Sequence, residues 1–206
     1  MAKTRGHVPA EGRHVLIAGI DWGGGTTSAT VLVIGYMRPD LHSFILRMER
    51  FRPQEEPDRV LNEVAERCRA FGVKYIAADG GGNGHVYNRL LQNKLGYQAS
   101  LCGIIYSTSD QEPVRDGTLH KLTVNRSASI GNTFVRIKKK MLHFPRVKEV
   151  GTFLDEFVCE LAEFDDHSRT IRYTHPDGLQ DDALHATNYM QTMGLRVVHE
   201  LLQQLH

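Results

Sequence analysis

Twice in this chain an uninterrupted apolar run ends in a single aspartate beside a cluster of glycines: VLIAGIDWGGG at residues 15–25 and VKYIAADGGG at residues 73–82. An apolar run without alternation is a strand covered on both faces, which calls for helices packed on either side of a central sheet. In such sheets ligands bind at the carboxyl ends of the strands, where Asp21 and Asp79 stand. The glycines keep side-chain bulk away from the place where another molecule would approach. If the two strands are neighbours, the carboxylates face each other and repel unless a cation lies between them. Hard oxygen ligands of this kind favour Mg2+ or Mn2+. One acid-ended strand is as readily a simple turn; two of them point to a site.

The rest of the chain supplies the frame. Residues 28–36 and 43–51 read as strands joined by a turn at Arg38-Pro39-Asp40, so residues 15–51 predict an antiparallel meander. Residues 57–71 change to helical period, with Val60, Leu61, Val64, Ala65 and Cys68 on one face, Pro57 in the first turn and Gly72 at the exit. The pattern continues with a helix over 84–95, a strand over 97–105 and a long mobile loop or hairpin over 107–122. Helices follow over 126–141, 147–164 and 181–205, with a short strand at 171–174. The helix over 147–164 should bury Phe153, Phe157, Leu161 and Phe164. This order predicts an α/β fold with a mixed central sheet of five or more strands flanked by helices. Residues 1–14 are polar, lack the apolar core of a signal peptide, and read as a linker or tag remnant ahead of one domain at 15–206.

Composition narrows the function classes. No apolar run approaches the roughly 18 residues of a membrane-spanning helix. Cys68, Cys102 and Cys159 are far apart and form no zinc spacing, which suits reduced thiols in a cytosolic setting. A net charge of +1 is low for a DNA binder working alone and makes sense if another domain holds the DNA.

A third acidic element is DGLQDDALHATNYM, residues 177–190. On a helix Asp181 and His185 are i, i+4 neighbours, and Asp182 and His185 are i, i+3 neighbours. Acids in a first turn are favoured by the helix dipole, and Asp177 or Asp181 suits the cap position. Joined to Asp21 and Asp79, however, the segment completes a set of acids and one histidine fit for two-metal phosphodiester hydrolysis.

The order apolar-strand-Asp, strand-Ala-Asp-Gly, then a late helix of the form DDxxDAxxYA resembles the C-terminal nuclease domain of tailed-phage large terminase subunits, an RNase H-like family. Asp181, Asp182, Ala186 and Tyr189 stand in place, and His185 occupies the position where many members carry aspartate. VNRSASIGNTF at 124–134 resembles the helix start that follows the family's fifth strand, so the likeness spans residues 15–190. It implies an RNase H-like endonuclease that cuts concematic viral DNA at the start and end of genome packaging, with two Mg2+ or Mn2+ ions. Asp21, Asp79 and Asp182 would be catalytic, and the metals would be held by these three with Asp181 and His185. A neutral imidazole at His185 binds Mn2+ better than Mg2+. The likeness further implies double-stranded DNA as substrate, a packaging ATPase domain of the same subunit, a small terminase subunit and a portal as partners, and action in the host cytoplasm. No GxxxxGK[ST] phosphate loop is present, as suits the nuclease portion alone.

Lys121, Asn125 and Arg126 flank the long loop and are candidate DNA-backbone contacts. Lys138, Lys139 and Lys140 are further candidates, although such a run also suits a solvated helix end. Trp22, beside Asp21, suits burial better than base stacking. Two other readings share the same core. DWGGGTTSATVL resembles the phosphate loop of actin and sugar kinases, whose two-domain build needs a longer chain. A Holliday-junction resolvase-like nuclease is the nearer alternative.

Overall fold

The computed structural model describes residues 14–24, 28–53, 55–109, 114–116, 119–166, 169–176 and 178–204. Outside them lie 1–13, read above as linker, residues 25–27 of the glycine loop, and Asp177, one of the two candidate caps. Strands β1 (Val15–Asp21), β2 (Thr30–Met37) and β3 (Ser43–Phe51) form the antiparallel meander. Helix α1 (Pro57–Phe71) follows, closed by Gly72 at φ 68, whose amide bonds back to the Arg69 and Cys68 carbonyls as left-handed glycine caps do. Strand β4 (Tyr75–Asp79) then enters parallel to β1 on the side away from β2. Helix α2 (Gly84–Leu95), β5 (Ser100–Ser107), β6 (Val114–Asp116) and β7 (Leu119–Asn125) extend that edge. Next come α3 (Arg126–Lys138), β8 (Leu142–His143), α4 (Val147–Val158), the hairpin β9 (Leu161–Asp165) and β10 (Thr170–Thr174), and α5 (Asp182–Gln203).

The main sheet is mixed and eight-stranded, in the order β6-β7-β5-β4-β1-β2-β3-β8. Side chains alternate between two cores: Ile17, Val31 and Val33 face α3, α4 and α5, whereas Ala18, Ile20, Leu32 and Ile34 face α1 and α2. This two-sided cover is what the unbroken apolar runs require. Helix α5 lies directly on β1. A Cβ on Gly19 would stand 1.8 Å from the Ala186 carbonyl oxygen, so glycine there sets how closely the helix approaches the strand.

Three expectations need correction. The helix over 147–164 stops at Val158, and Leu161 and Phe164 belong to a β-hairpin, where they are exposed rather than buried. The alternation in LAEFD and TIRYT about a polar Asp/His/Ser turn is a hairpin signature that the phenylalanine spacing obscured. For the segment 107–122, of the two readings offered, the hairpin replaces the loop: β6 pairs antiparallel with β7, and β7 pairs parallel with β5. Residues 110–113 and 117–118 lie outside the described residues. The strand expected at 97–105 begins at Ser100 after a 3-10 turn, and β8 adds an eighth strand by pairing with the start of β3.

Candidate metal centre

Because β1 and β4 are parallel neighbours in register, with Ile20 opposite Ala78, Asp21 and Asp79 leave the sheet side by side at its carboxyl end. The first turn of α5 crosses the same end and adds Asp181 and Asp182. Asp182 is buried, and its Oδ1 accepts from the Ser28 hydroxyl at 3.2 Å while its Oδ2 has no partner. Burial, then the charges of Asp182, Asp79 and Asp181, push the Asp21 carboxyl well above the ordinary range. Burial also raises Asp79, although the Gly81 and Gly80 amides and His185 oppose it. Burial raises Asp182 against the Ser28 hydrogen bond. Asp21, raised by three neighbouring carboxylates, stands in a group short of positive charge.

Asp181 behaves differently. Burial disfavours its charge, but the hydrogen bond from His185 and the nearness of His185 and His175 outweigh that and hold it down to about 2. His185 Nε2 lies 2.7 Å from Asp181 Oδ2, and Nδ1 lies 3.0 Å from the Tyr106 hydroxyl. Thr133 donates to Asn188 Oδ1, and Asn188 Nδ2 donates to Tyr106 Oη at 2.8 Å. With the phenol proton directed at Nδ1, the ring N–H stands on Nε2 toward Asp181, although Arg126 Nη2, which can only donate, also lies 3.4 Å from Nε2.

Glu160, which follows α4, completes the group. Its side chain is fully buried, Oε1 is 3.2 Å from Arg126 Nη2, and Oε2 has no partner. Burial raises its pKa. Glu160, Asp181 and His185 offer ligand atoms within 4.8 Å of one another. Glu160, Tyr106 and His175 escaped the sequence reading. Glu160 falls within the helix expected over 147–164, and Tyr106 lies between the strand expected over 97–105 and the loop or hairpin over 107–122.

Of the candidate site residues, the fold brings together Asp21, Asp79, Asp181, Asp182 and His185, with Arg126 beside them. Asn125 caps α3 through Ala128 N at 2.9 Å. Asn125 and Arg126, with Tyr106, Arg172 and Tyr173, line an open cavity of about 720 Å3 next to the acids. Lys121 lies in mid-strand on β7, and Lys138, Lys139 and Lys140 lie at the far end of α3. Trp22 is buried, donating to Asn88 Oδ1 at 2.8 Å, while Asn88 Nδ2 donates to the Asp79 carbonyl. Trp22 thus braces the two acid-ended strands.

The donor set suits a hard divalent cation: it is mostly carboxylate, and the buried oxygens Asp182 Oδ2 and Glu160 Oε2 lack donors.

No protein-family model and no curated protein matches the sequence. Solved structures do match. The nuclease domain of the large terminase subunit of bacterial virus Sf6 aligns at 11% identity over 89% of each chain, with a TM-score of 0.62. A variant of that domain with manganese and beta-thujaplicinol aligns at 12% identity over 90% of this chain and 89% of the other, with a TM-score of 0.59. The P22 large terminase nuclease domain aligns at 15% identity over 93% and 89%, with a TM-score of 0.53. The chain has the RNase H-like fold that these domains share.

Proposed function

We propose that residues 15–206 form a metal-dependent DNA endonuclease of the terminase large-subunit kind, which cleaves concatemeric viral DNA during genome packaging. One observation carries this: Asp21, Asp79 and Asp182 come from three separate elements to one sheet end, where the charges of Asp182 and Asp79 bear on Asp21. Asp21, Asp79 and Asp182 would hold the cations, with Asp181, His185 and Glu160 as further ligands beside them. Bound Mg2+ or Mn2+ would activate a water and stabilise the leaving 3′ oxygen. The protein's own part is to hold these carboxylates in place, with His185 orienting Asp181 and the Trp22–Asn88 pair fixing the β1 and β4 ends. Asn125 and Arg126, on the wall of the adjoining cavity, would contact phosphates of double-stranded DNA without reading sequence. The partners that suit such a domain are the packaging ATPase of the same subunit, a small terminase subunit and a portal, in the host cytoplasm. Among the described residues no helix is long and apolar enough to cross a membrane.

The test is supercoiled plasmid incubated with the protein and Mn2+, Mg2+, Ca2+ or EDTA. Nicking and linearisation should be faster with Mn2+ than with Mg2+ and absent with Ca2+ or EDTA, because Mn2+ accepts an imidazole and imperfect geometry. Cleavage that persists in EDTA sinks the proposal, and equal rates with both ions remove His185 from the ligands.

A further inference from the structure

Helix α5 begins in an unusual way. Asp181 occupies its N-cap position, and aspartate is among the best residues there because its carboxylate accepts from the second or third helical amide. Yet the Asp181 side chain makes no capping bond. The second helical amide, Ala183 N, donates instead to Glu156 Oε2 at 2.6 Å, from a different helix. Glu156 is 5% exposed, sits on α4, and its other oxygen is paired with Arg50, which also bonds Gln180. Arg50 in turn lies over the Phe153 ring at 5.2 Å. The capping carboxylate is thus anchored by β3 and α4 together.

We infer that Glu156 is a positioning residue of the metal centre: by capping α5 from outside, it releases the Asp181 carboxylate to face His185 and Glu160. The inference rests on the proposed metal-binding role of Asp181. Asp181 has two competing uses, and Glu156 decides between them. Without Glu156 the vacant Ala183 amide is within the natural reach of Asp181, whose return to the cap would dismantle the Glu160–Asp181–His185 group.

The experiment is calorimetric titration of the full chain with Mn2+, with Tm followed in parallel, for E156A, E156Q, E156D, D181A and E156A/D181A. E156A should bind Mn2+ about 10- to 100-fold more weakly, the usual cost of losing a partner that orients a ligand. Its Tm should fall only by about 2–4 °C, because Asp181 replaces the lost cap. D181A should then cost more Tm in the E156A background than in the wild type, a coupling that a purely structural Glu156 would not produce. E156Q keeps an acceptor oxygen at the same reach and should bind Mn2+ as the wild type does. E156D keeps the charge one methylene short of the amide and should resemble E156A. This pair decides the matter if E156A does not fold. Mn2+ affinity unchanged in E156A or E156D but weakened in D181A overturns the inference alone. Affinity unchanged in D181A as well overturns the metal role of Asp181 and the inference with it. A loss in E156Q with affinity retained in E156D shows that charge, not capping, is what matters, and also overturns it.

Discussion

The two ends of the core beneath α3 and α5 bury charge in opposite ways. At the carboxyl end of β1 and β4 stand Asp21, Asp79, Glu160, Asp181 and Asp182, with Arg126 beside Glu160 and Asp181, and two carboxylate oxygens lack any donor. At the other end Arg136 is 5% exposed, and none of its described hydrogen-bond partners is a carboxylate. Its guanidinium donates to Gln191 Oε1 at 2.7 Å, to Ser43 Oγ at 3.2 Å and to the Leu41 carbonyl. It also lies in the last turn of α3, where the helix dipole favours a cation. The one described orphan near it is an amide donor, Gln191 Nε2, not an acid. A single cation ringed by neutral acceptors is a closed arrangement that specifies packing. Like charges collected with too few donors form an open one, and they cost stability unless a cation arrives.

The sharpest way to break this contrast is Asp21→Asn. Plasmid cleavage should fall by on the order of 10^3-fold or more, since a neutral amide would bind the divalent cations far less well than the carboxylate it replaces. The metal-free protein should at the same time become more stable. The folded pKa of Asp21 is raised, so its ionised form opposes folding at neutral pH, and the opposition fades as pH falls through that raised value. The Tm advantage of the variant should therefore be greatest near neutral pH and vanish below the ordinary carboxyl value of 3.8. A variant that is less stable than the wild type at pH 7 would mean that the acids are already compensated.

Arg136→Met probes the opposite end. It removes the donor to the Leu41 carbonyl and one of the two donors to Gln191 Oε1, the other being the Ser43 hydroxyl, which should cost about 1–3 kcal/mol in chemical denaturation. Mn2+ binding by the folded variant should stay at the wild-type level. Loss of Mn2+ binding would show that the two ends are one coupled network.

A smaller effect separates the acids from one another. Asp181 has a depressed folded pKa of about 2, so its contribution to stability is complete above 3.8 and disappears as pH falls toward 2. Removing the leading favourable partner with His185→Asn should flatten the fall of stability between pH 4 and 2. After solvent screening the change should be on the order of 1–2 kcal/mol. An unaltered pH profile would assign the depression to His175 and Arg126 instead.

How much of this was legible in the sequence follows the same division. Asp21 and Asp79 were readable because an apolar run that ends in an acid has few structural uses, and Asp181, Asp182 and His185 because helical spacing places them together. Glu160 was not, since VGTFLDEFVCELAEF carries helical spacing past the point where α4 stops at Val158, with no glycine or proline to mark the break. What ends that helix is tertiary: β9 pairs with β10, and Glu160 is drawn in toward Arg126. The capping switch between Glu156 and Asp181 was equally hidden, because the two residues meet only when α4 docks on α5. Arg136 looked like one more charge in a basic helix end, and only the packed structure separates it from its exposed lysine neighbours.

Those neighbours give the mildest test. Lys138, Lys139 and Lys140 are exposed, and Lys138 lies twelve residues along α3 from Arg126, about 18 Å at the helical rise. Arg126 touches the acid group and lines the adjoining cavity; the lysines sit beside β8 at the opposite edge of the sheet. Each phosphate neutralised on duplex DNA adds roughly 0.9 to the slope of log affinity against log salt. If DNA lies over the acid end alone, replacing all three lysines by alanine should leave that slope within about 0.9 of the wild type, with plasmid cleavage unimpaired. A slope reduced by about 2–3 would mean that the duplex runs down the length of α3, so that the end built around Arg136 also supports a DNA-binding surface and the separation between a packing end and a working end is lost.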